Sequence, residues 1–187
     1  MARLVSVLLS CLIVVMLVGL PAFYITYRNA NVRNFRMVRQ DVLYRSGQMS
    51  LEGLKSVIHD YGIKTVVSLR DAALPGNPPP DLAEEKYCAD QGIGYCRISP
   101  RMWWAPDGSI PAEEGVKLFR AVMDSPENYP VLIHCFAGIH RTGAFCAVYR
   151  MEVEHWSDEQ AIAEMVVLGY DNINEHQDVL TFLRHYR

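Results

Sequence analysis

The apolar positions of this chain fall into two regimes. Leu4 to Ile25 is a run of 22 residues without a charge, long enough for a helix of about 20 residues to cross a bilayer. From Asp41 onward the apolar residues are grouped instead into short runs and periodic stretches. Asp41 to Gln48, Ile63 to Arg70, Ile93 to Ile98 and Pro130 to Ile133 read as strands, the last of them the kind of fully apolar run buried in a parallel sheet. Between them, residues 51–60 behind a Ser50 cap place Leu51, Leu54, Val57 and Ile58 on one helical face, and 81–91 and 111–124 read as further helices. Residues 71–80 contain Pro75, Gly76 and three consecutive prolines, which predicts a loop. Thr142 to Trp156 carries Phe145, Val148, Tyr149 and Val153 at helical spacing. Ser157 and Gln160 frame a capping box for a helix over 158–168 that Gly169 ends, and Val179, Leu180, Leu183 and Tyr186 mark a last helix near 175–187. Alternating strands and helices predict an α/β fold, a mainly parallel central sheet flanked by helices, preceded by one transmembrane helix.

Charge follows the same division. All 21 acidic residues lie from Asp41 onward with 13 of the 18 basic ones, a formal −8 for residues 41–187, which excludes nucleic acid as the expected partner. Three segments are predicted: 1–27 as a transmembrane anchor or signal peptide, 28–40 as a basic juxtamembrane linker, and 41–187 as one catalytic domain. Arg28, Arg33, Arg36 and Arg39 follow the apolar run and only Arg3 precedes it. This bias predicts a single-pass membrane protein with its domain on the cytoplasmic side, the alternative being a secreted or periplasmic domain released by signal cleavage. Cys88, Cys96, Cys135 and Cys146 stand at no spacing that suggests a disulfide framework.

The candidate chemistry lies in His134-Cys135-Phe136-Ala137-Gly138-Ile139-His140-Arg141-Thr142-Gly143. It joins the apolar strand to a helix, so the loop amides and the helix N-terminus favour an anion. The same field and a nearby Arg lower a thiol pKa and expose the thiolate as a nucleophile. Arg141 offers a planar fork to two phosphoryl oxygens, Gly138 lets the loop turn with its amides inward, and Thr142 can donate its hydroxyl to the sulfur. A buried cysteine in a capping turn and a zinc site from His134, Cys135 and His140 are the competing readings. The second lacks a further ligand pair at metal-site spacing.

The run resembles the signature of the protein tyrosine phosphatase superfamily, a His-Cys pair followed by five residues and then Arg-Ser/Thr-Gly. Tyr44-Arg45-Ser46-Gly47-Gln48 is similar to the opening of bacterial and atypical dual-specificity phosphatases. The resemblance implies a metal-independent phosphatase domain over 41–187 that needs no cofactor. In it Cys135 is the nucleophile, Arg141 and the 136–140 backbone (Phe136, Ala137, Gly138, Ile139, His140) with Thr142 hold the phosphoryl group, and His134 supports the loop. It also implies an upstream Asp as general acid. Asp107, in Trp103-Trp104-Ala105-Pro106-Asp107-Gly108, fits, although Ala105 interrupts the family's Trp-Pro-Asp order; Asp81, Glu113 and Glu114 are the alternatives.

Substrate class stays open at this level. Relatives that take inositol phosphates or phosphoinositides tend to carry Lys or Arg inside the loop, whereas here only His140 can be charged, with Arg97 and Arg101 in reach of the rim. Trp103 and Trp104 either pack against a phosphotyrosine ring or anchor their loop to the core. Arg70 reads as a brace of the sheet end or the phosphate loop. The expected substrate is a phosphorylated protein, with a phosphorylated lipid or small molecule as the alternative and a silent phospho-binding module as the second.

Overall fold

The computed structural model describes residues 2–72, 76–99 and 101–186; Pro75 of the expected loop and Arg187 of the expected last helix lie outside them. Helix α1 (Ala2–Val14) and helix α2 (Leu20–Asn31) precede strand β1 (Arg36–Arg39), β2 (Leu43–Gly47), helix α3 (Leu51–Tyr61), β3 (Thr65–Ser68), α4 (Leu82–Asp90), β4 (Gly94–Arg97) and α5 (Glu113–Met123). Strand β5 (Val131–Cys135), α6 (His140–Val153), α7 (Asp158–Val167) and α8 (Gln177–His185) complete the chain. The sheet order is β1-β2-β5-β3-β4, with β1 antiparallel to β2 and every other pair parallel. The mainly parallel α/β sheet expected from the sequence is therefore present.

Strand alternation builds two cores from this sheet. Leu43, Val67, Val131 and Ile133 face one side with Phe119, Phe145 and Val148. Tyr44, Val66 and Leu132 face the other with Leu54, Val57 and Cys88. All five residues of β5 are buried, and each large apolar side chain among them contributes about 1.5–3 kcal/mol on burial. The most strongly held strand thus ends at Cys135. Ser50 caps α3 by accepting from the Gly53 amide, and Ser157 and Gln160 form the expected capping box of α7.

The N-terminal segment up to Asn31 differs from its hydropathy. In place of one transmembrane helix, the apolar run is divided among α1, a π-helical turn at Val15–Gly19 and α2. Among the described residues no helix is long and apolar enough to cross a membrane. Pro21, in the first turn of α2, supplies the reason: it has no amide hydrogen and its ring crowds the carbonyl one turn back. The ladder widens just before it, with the Leu20 amide donating to Val15 O.

The stretch 28–40, expected to be a linker, also carries structure. Arg36–Arg39 is an edge strand, Phe35 stacks on Tyr44 with ring centroids 5.6 Å apart, and Arg28 pairs with Asp60 at 3.0 Å. A β-carbon on Gly53 would stand 2.2 Å from Asn31 O. The bare glycine is what lets the end of α2 seat on α3.

Candidate active site

Parallel pairing brings the ends of three strands together: Gly47 of β2 lies opposite Cys135, and Ser68 of β3 opposite His134. The chain leaves β5 there, turns through Phe136 to Ile139 and enters α6 at His140. Gly138 makes the turn at φ +75°, and a β-carbon on it would meet the Gly47 nitrogen at 2.3 Å. Only glycine satisfies both conditions.

Cys135 is 4% exposed at the base of this turn, and the Gly138 amide donates to its Sγ at 3.3 Å. Burial by itself pushes the thiol up. The Thr142 hydroxyl and the amides of Thr142, Gly138 and Ala137 outweigh it and hold the thiol below its usual range. The Thr142 hydroxyl is buried and makes no aligned hydrogen bond, so the Gly138 amide is the one geometric donor to Sγ among the described residues. The remaining buried thiols behave oppositely: burial and the nearby Glu84 push Cys88 up to about 12, and burial pushes Cys146 up to about 11.

The loop carbonyls are fastened outward, which turns the amides inward. Phe136 O accepts from the Gln48 amide at 3.0 Å, Ala137 O from Asn34 Nδ2 at 2.8 Å, and Gly138 O from Arg45 Nη2 at 2.8 Å. A second network supports His134, whose Nε2 lies 2.8 Å from Glu84 Oε1 without forming an aligned hydrogen bond. Gln48 bridges Glu84 to Arg70, donating to the first and accepting from the second at 2.9 Å. Asn34, Arg45, Gln48 and Glu84 were not singled out from the sequence as site residues. An arginine within an otherwise buried strand was the available signal for Arg45.

Cys135, Phe136, Ala137, His140 and Arg141 line a depression of about 250 Å³. Arg141 is exposed, and its Nη1 donates to Leu69 O at 3.4 Å. Arg141 also borders a cleft shared with Ser99 and Arg101. His140 packs on Tyr170 with ring centroids 4.3 Å apart, and burial, His176 and Arg141 lower its pKa, which favours the neutral ring. His134 and His140 thus diverge, and among the described residues no group of three or more His, Cys, Asp and Glu could hold a metal ion.

Asp107 is not among the residues that line the depression at Cys135. It sits exposed on its loop and accepts from the Ser109 amide at 3.0 Å and from Ser109 Oγ at 2.7 Å, which hold its carboxyl below the usual range. Below it Trp103 is 7% exposed, packed on Phe145 and Phe182 at centroid distances of 5.1 and 4.9 Å. Trp103 therefore anchors the loop. Asp81 is 2% exposed and accepts from Ser68, Tyr95 and Arg97. Arg97 is consumed by Asp81, Glu85 and Arg70 O, and of the two arginines expected near the rim only Arg101 lies beside Arg141.

A mainly parallel sheet that ends in a buried thiol, with a loop amide on its sulfur and an arginine six positions on, has the arrangement that cysteine-dependent phosphatases require. Residues 17–180 match the family described as DSP-PTPase phosphatase fused to NAD+ kinase. The chain belongs to that family. It is 32% identical over 145 residues to the dual specificity protein phosphatase TpbA of Pseudomonas aeruginosa, covering 76% of this chain and 58% of that protein. It is 28% identical over 131 residues to the inositol diphosphatase DSP5 of Arabidopsis thaliana, covering 70% of this chain and 59% of that one. The chain thus matches less than two thirds of the length of either curated relative.

The fold recurs in the crystal structure of P. aeruginosa TpbA, with TM-score 0.62, 22% identity, and 85% of this chain and 92% of that one covered. It recurs also in the catalytic core of the PP-IP phosphatase SIW14 from S. cerevisiae, with TM-score 0.62, 21% identity and coverages of 84% and 87%.

Proposed function

We propose that this protein hydrolyses phosphate monoesters through a phosphocysteine intermediate, with phosphotyrosine or phosphoserine/threonine proteins as substrates. The observation that carries the reading is a buried Cys135 at the end of β5 that takes the Gly138 amide on its Sγ at 3.3 Å and lines one depression with Arg141, an arrangement that holds the thiol below its usual range. Cys135 Sγ attacks phosphorus and the ester P–O bond breaks, while the Arg141 guanidinium and the loop amides take the charge of the equatorial oxygens. Asp107 gives its proton to the departing oxygen. It then removes a proton from water as that water attacks phosphorus, breaks the P–S bond and releases orthophosphate.

This role requires the Asp107 loop to close over bound substrate and its carboxyl to be protonated on arrival. Ser109 opposes protonation. In Ser109→Ala the hydroxyl that favours the carboxylate is gone, so the Asp107 pKa rises and the acid stays protonated to higher pH. The alkaline limb of the kcat–pH profile is expected to move upward, measured on an alkyl phosphate; an unmoved limb would assign the acid elsewhere.

A second reading, an inositol diphosphatase or phosphoinositide phosphatase with the same chemistry, has its own support. Arg33 and Arg70 lie over the ring of the exposed Phe136 at 4.5 and 5.2 Å, which puts two further guanidiniums at the site's rim. Phosphotyrosine peptides, phosphothreonine peptides and inositol diphosphates offered to the purified chain in chelator decide between the readings. Hydrolysis of the peptides with inositol diphosphates left intact supports the protein reading, and the reverse preference supports the second. Binding without turnover on every substrate would leave the silent phospho-binding module.

The proposal includes attachment of the chain to a membrane, with the domain on the cytoplasmic side. It is supported by the exposed apolar surface from Val5 to Ile25 and by the arginines that follow it. The catalytic domain is taken to begin near Asn31 rather than at Asp41, because β1 and Phe35 belong to its packing.

A further inference from the structure

Arg45 is the least expected side chain in the fold. It is 2% exposed, and among the described residues no carboxylate pairs with it. Its Nη2 donates to Gly138 O at 2.8 Å and lies 3.4 Å from Ile139 O, while Nε and Nη1 have no hydrogen-bond partner. A guanidinium stays charged at any accessible pH, and burying one without an anion is costly. Ordinary packing would not place it here.

Its position explains what it does. Arg45 lies opposite Ile133 in the parallel β2–β5 register, and Cys135 stands two residues further along β5, so all three share one face of the sheet. From there the side chain passes beneath the loop, reaching to 3.5 Å from the space a β-carbon on Gly143 would fill. A trans peptide is planar, with its C=O and N–H pointing oppositely. Holding Gly138 O and Ile139 O downward therefore aims the Ile139 and His140 amides up into the cradle.

We propose that Arg45 is a positioning residue for the oxyanion cradle. Its Nη2 fixes the Gly138 peptide plane and reinforces that of Ile139, whose carbonyl also accepts from the Gly143 amide at 2.8 Å, and its charge is balanced by the Cys135 thiolate or the bound phosphoryl group. The other charged or titratable groups near Cys135 are Arg141 and Cys146 on α6, with Glu164 and Arg150 acting on Cys146, and His134 with its neighbour Glu84 and His140 on the flanks of the loop. None of them holds a loop carbonyl from below. The inference rests on Cys135 being the nucleophile.

The test uses the full chain with Arg45→Met, and Arg45→Lys as the variant that keeps a charge but lacks the planar guanidinium that places Nη2 under the two carbonyls. Alkylation of Cys135 by iodoacetamide is followed against pH by mass spectrometry, beside kcat/KM on an aryl phosphate, inhibition by orthophosphate and thermal unfolding. In Arg45→Met the alkylation midpoint moves to higher pH, kcat/KM falls about a hundred-fold, as for loss of an oxyanion donor, and orthophosphate inhibits about ten-fold more weakly. Arg45→Lys shows the same changes in smaller degree, and it carries the test if the Met variant does not fold. An unchanged alkylation midpoint and unchanged orthophosphate inhibition in the folded variants, or a loss that follows thermal stability alone, overturns the assignment. Alkylation and orthophosphate binding need no turnover, so a wild type that hydrolyses nothing would defeat the phosphatase reading and still leave Arg45 judged.

Discussion

Cys135→Ser is expected to abolish turnover, with kcat down by about four to six orders of magnitude, as for loss of the nucleophile in other covalent enzymes. The site activates a thiol by favouring its ionised form with the Gly138 amide on Sγ at 3.3 Å and with the amides and hydroxyl around it, which lower the Cys135 pKa against burial. A serine hydroxyl is a far weaker acid, so the same hydrogen bonds leave it protonated and a poor nucleophile. Binding of a phosphorylated substrate should survive, because the loop amides and Arg141 are untouched. Cys146→Ala and Cys88→Ala provide the contrast. Burial raises both of those thiols, and their replacement should change melting temperature and leave the pH dependence of turnover alone. Steady-state kinetics of the three variants on an aryl phosphate make the comparison.

Asp81→Ala should produce the largest loss of stability. The carboxylate is buried and accepts from the Ser68 hydroxyl, the Tyr95 hydroxyl at 2.8 Å and the Arg97 guanidinium. Alanine leaves Arg97, itself part-buried, with Glu85 as its remaining anion. Breaking a pair of this kind costs about 3–5 kcal/mol, or roughly 6–20 °C in melting temperature for a domain of this size. Burial raises the Asp81 carboxyl, but its three partners prevail and hold it below the ordinary carboxylate range. Its contribution to stability is therefore complete above the unfolded-state value of about 3.9 and is lost as pH falls through the lower folded-state value. Calorimetry at neutral and acid pH should find the gap between wild type and Asp81→Ala wide at neutral pH and narrowing below the ordinary carboxylate range. A gap that stays constant on acidification would mean that folding leaves the Asp81 pKa unshifted, and one that widens would mean that Asp81 is protonated in the fold.

Much of this architecture was legible because it is local. Val131 to Ile133 announced a buried strand, Ser50 and Ser157 announced their caps, and the contiguous run from His134 to Gly143 carried nucleophile, cradle and arginine together. Strand β1 was not legible. Arg36-Met37-Val38-Arg39 places basic residues on both sides of Val38, its single buried position, and after a long apolar run those arginines read as membrane flank. The interruption at Val15–Gly19 escaped as well, because a hydropathy reading takes Pro21 as the end of the span and does not register the amide it lacks. The carbonyl clamps lie furthest from periodicity: Asn34 reaches Ala137 across 103 residues and Arg45 reaches Gly138 across 93. Asp107 illustrates the reverse case, since its local setting of Trp, Pro and Gly located a loop, while the distance from that loop to the thiolate is a tertiary property.

The central claim is that phosphate passes through Cys135. Mixing the full chain with an aryl phosphate, quenching in acid within one turnover and mapping the modified residue by mass spectrometry tests it directly. The account predicts one phosphoryl group on Cys135 in the wild type, accumulating further in Asp107→Asn, where the base for the second step is missing, and absent in Cys135→Ser. Hydrolysis at an undiminished rate in Cys135→Ser, or a phosphoryl group found on another residue, would contradict it.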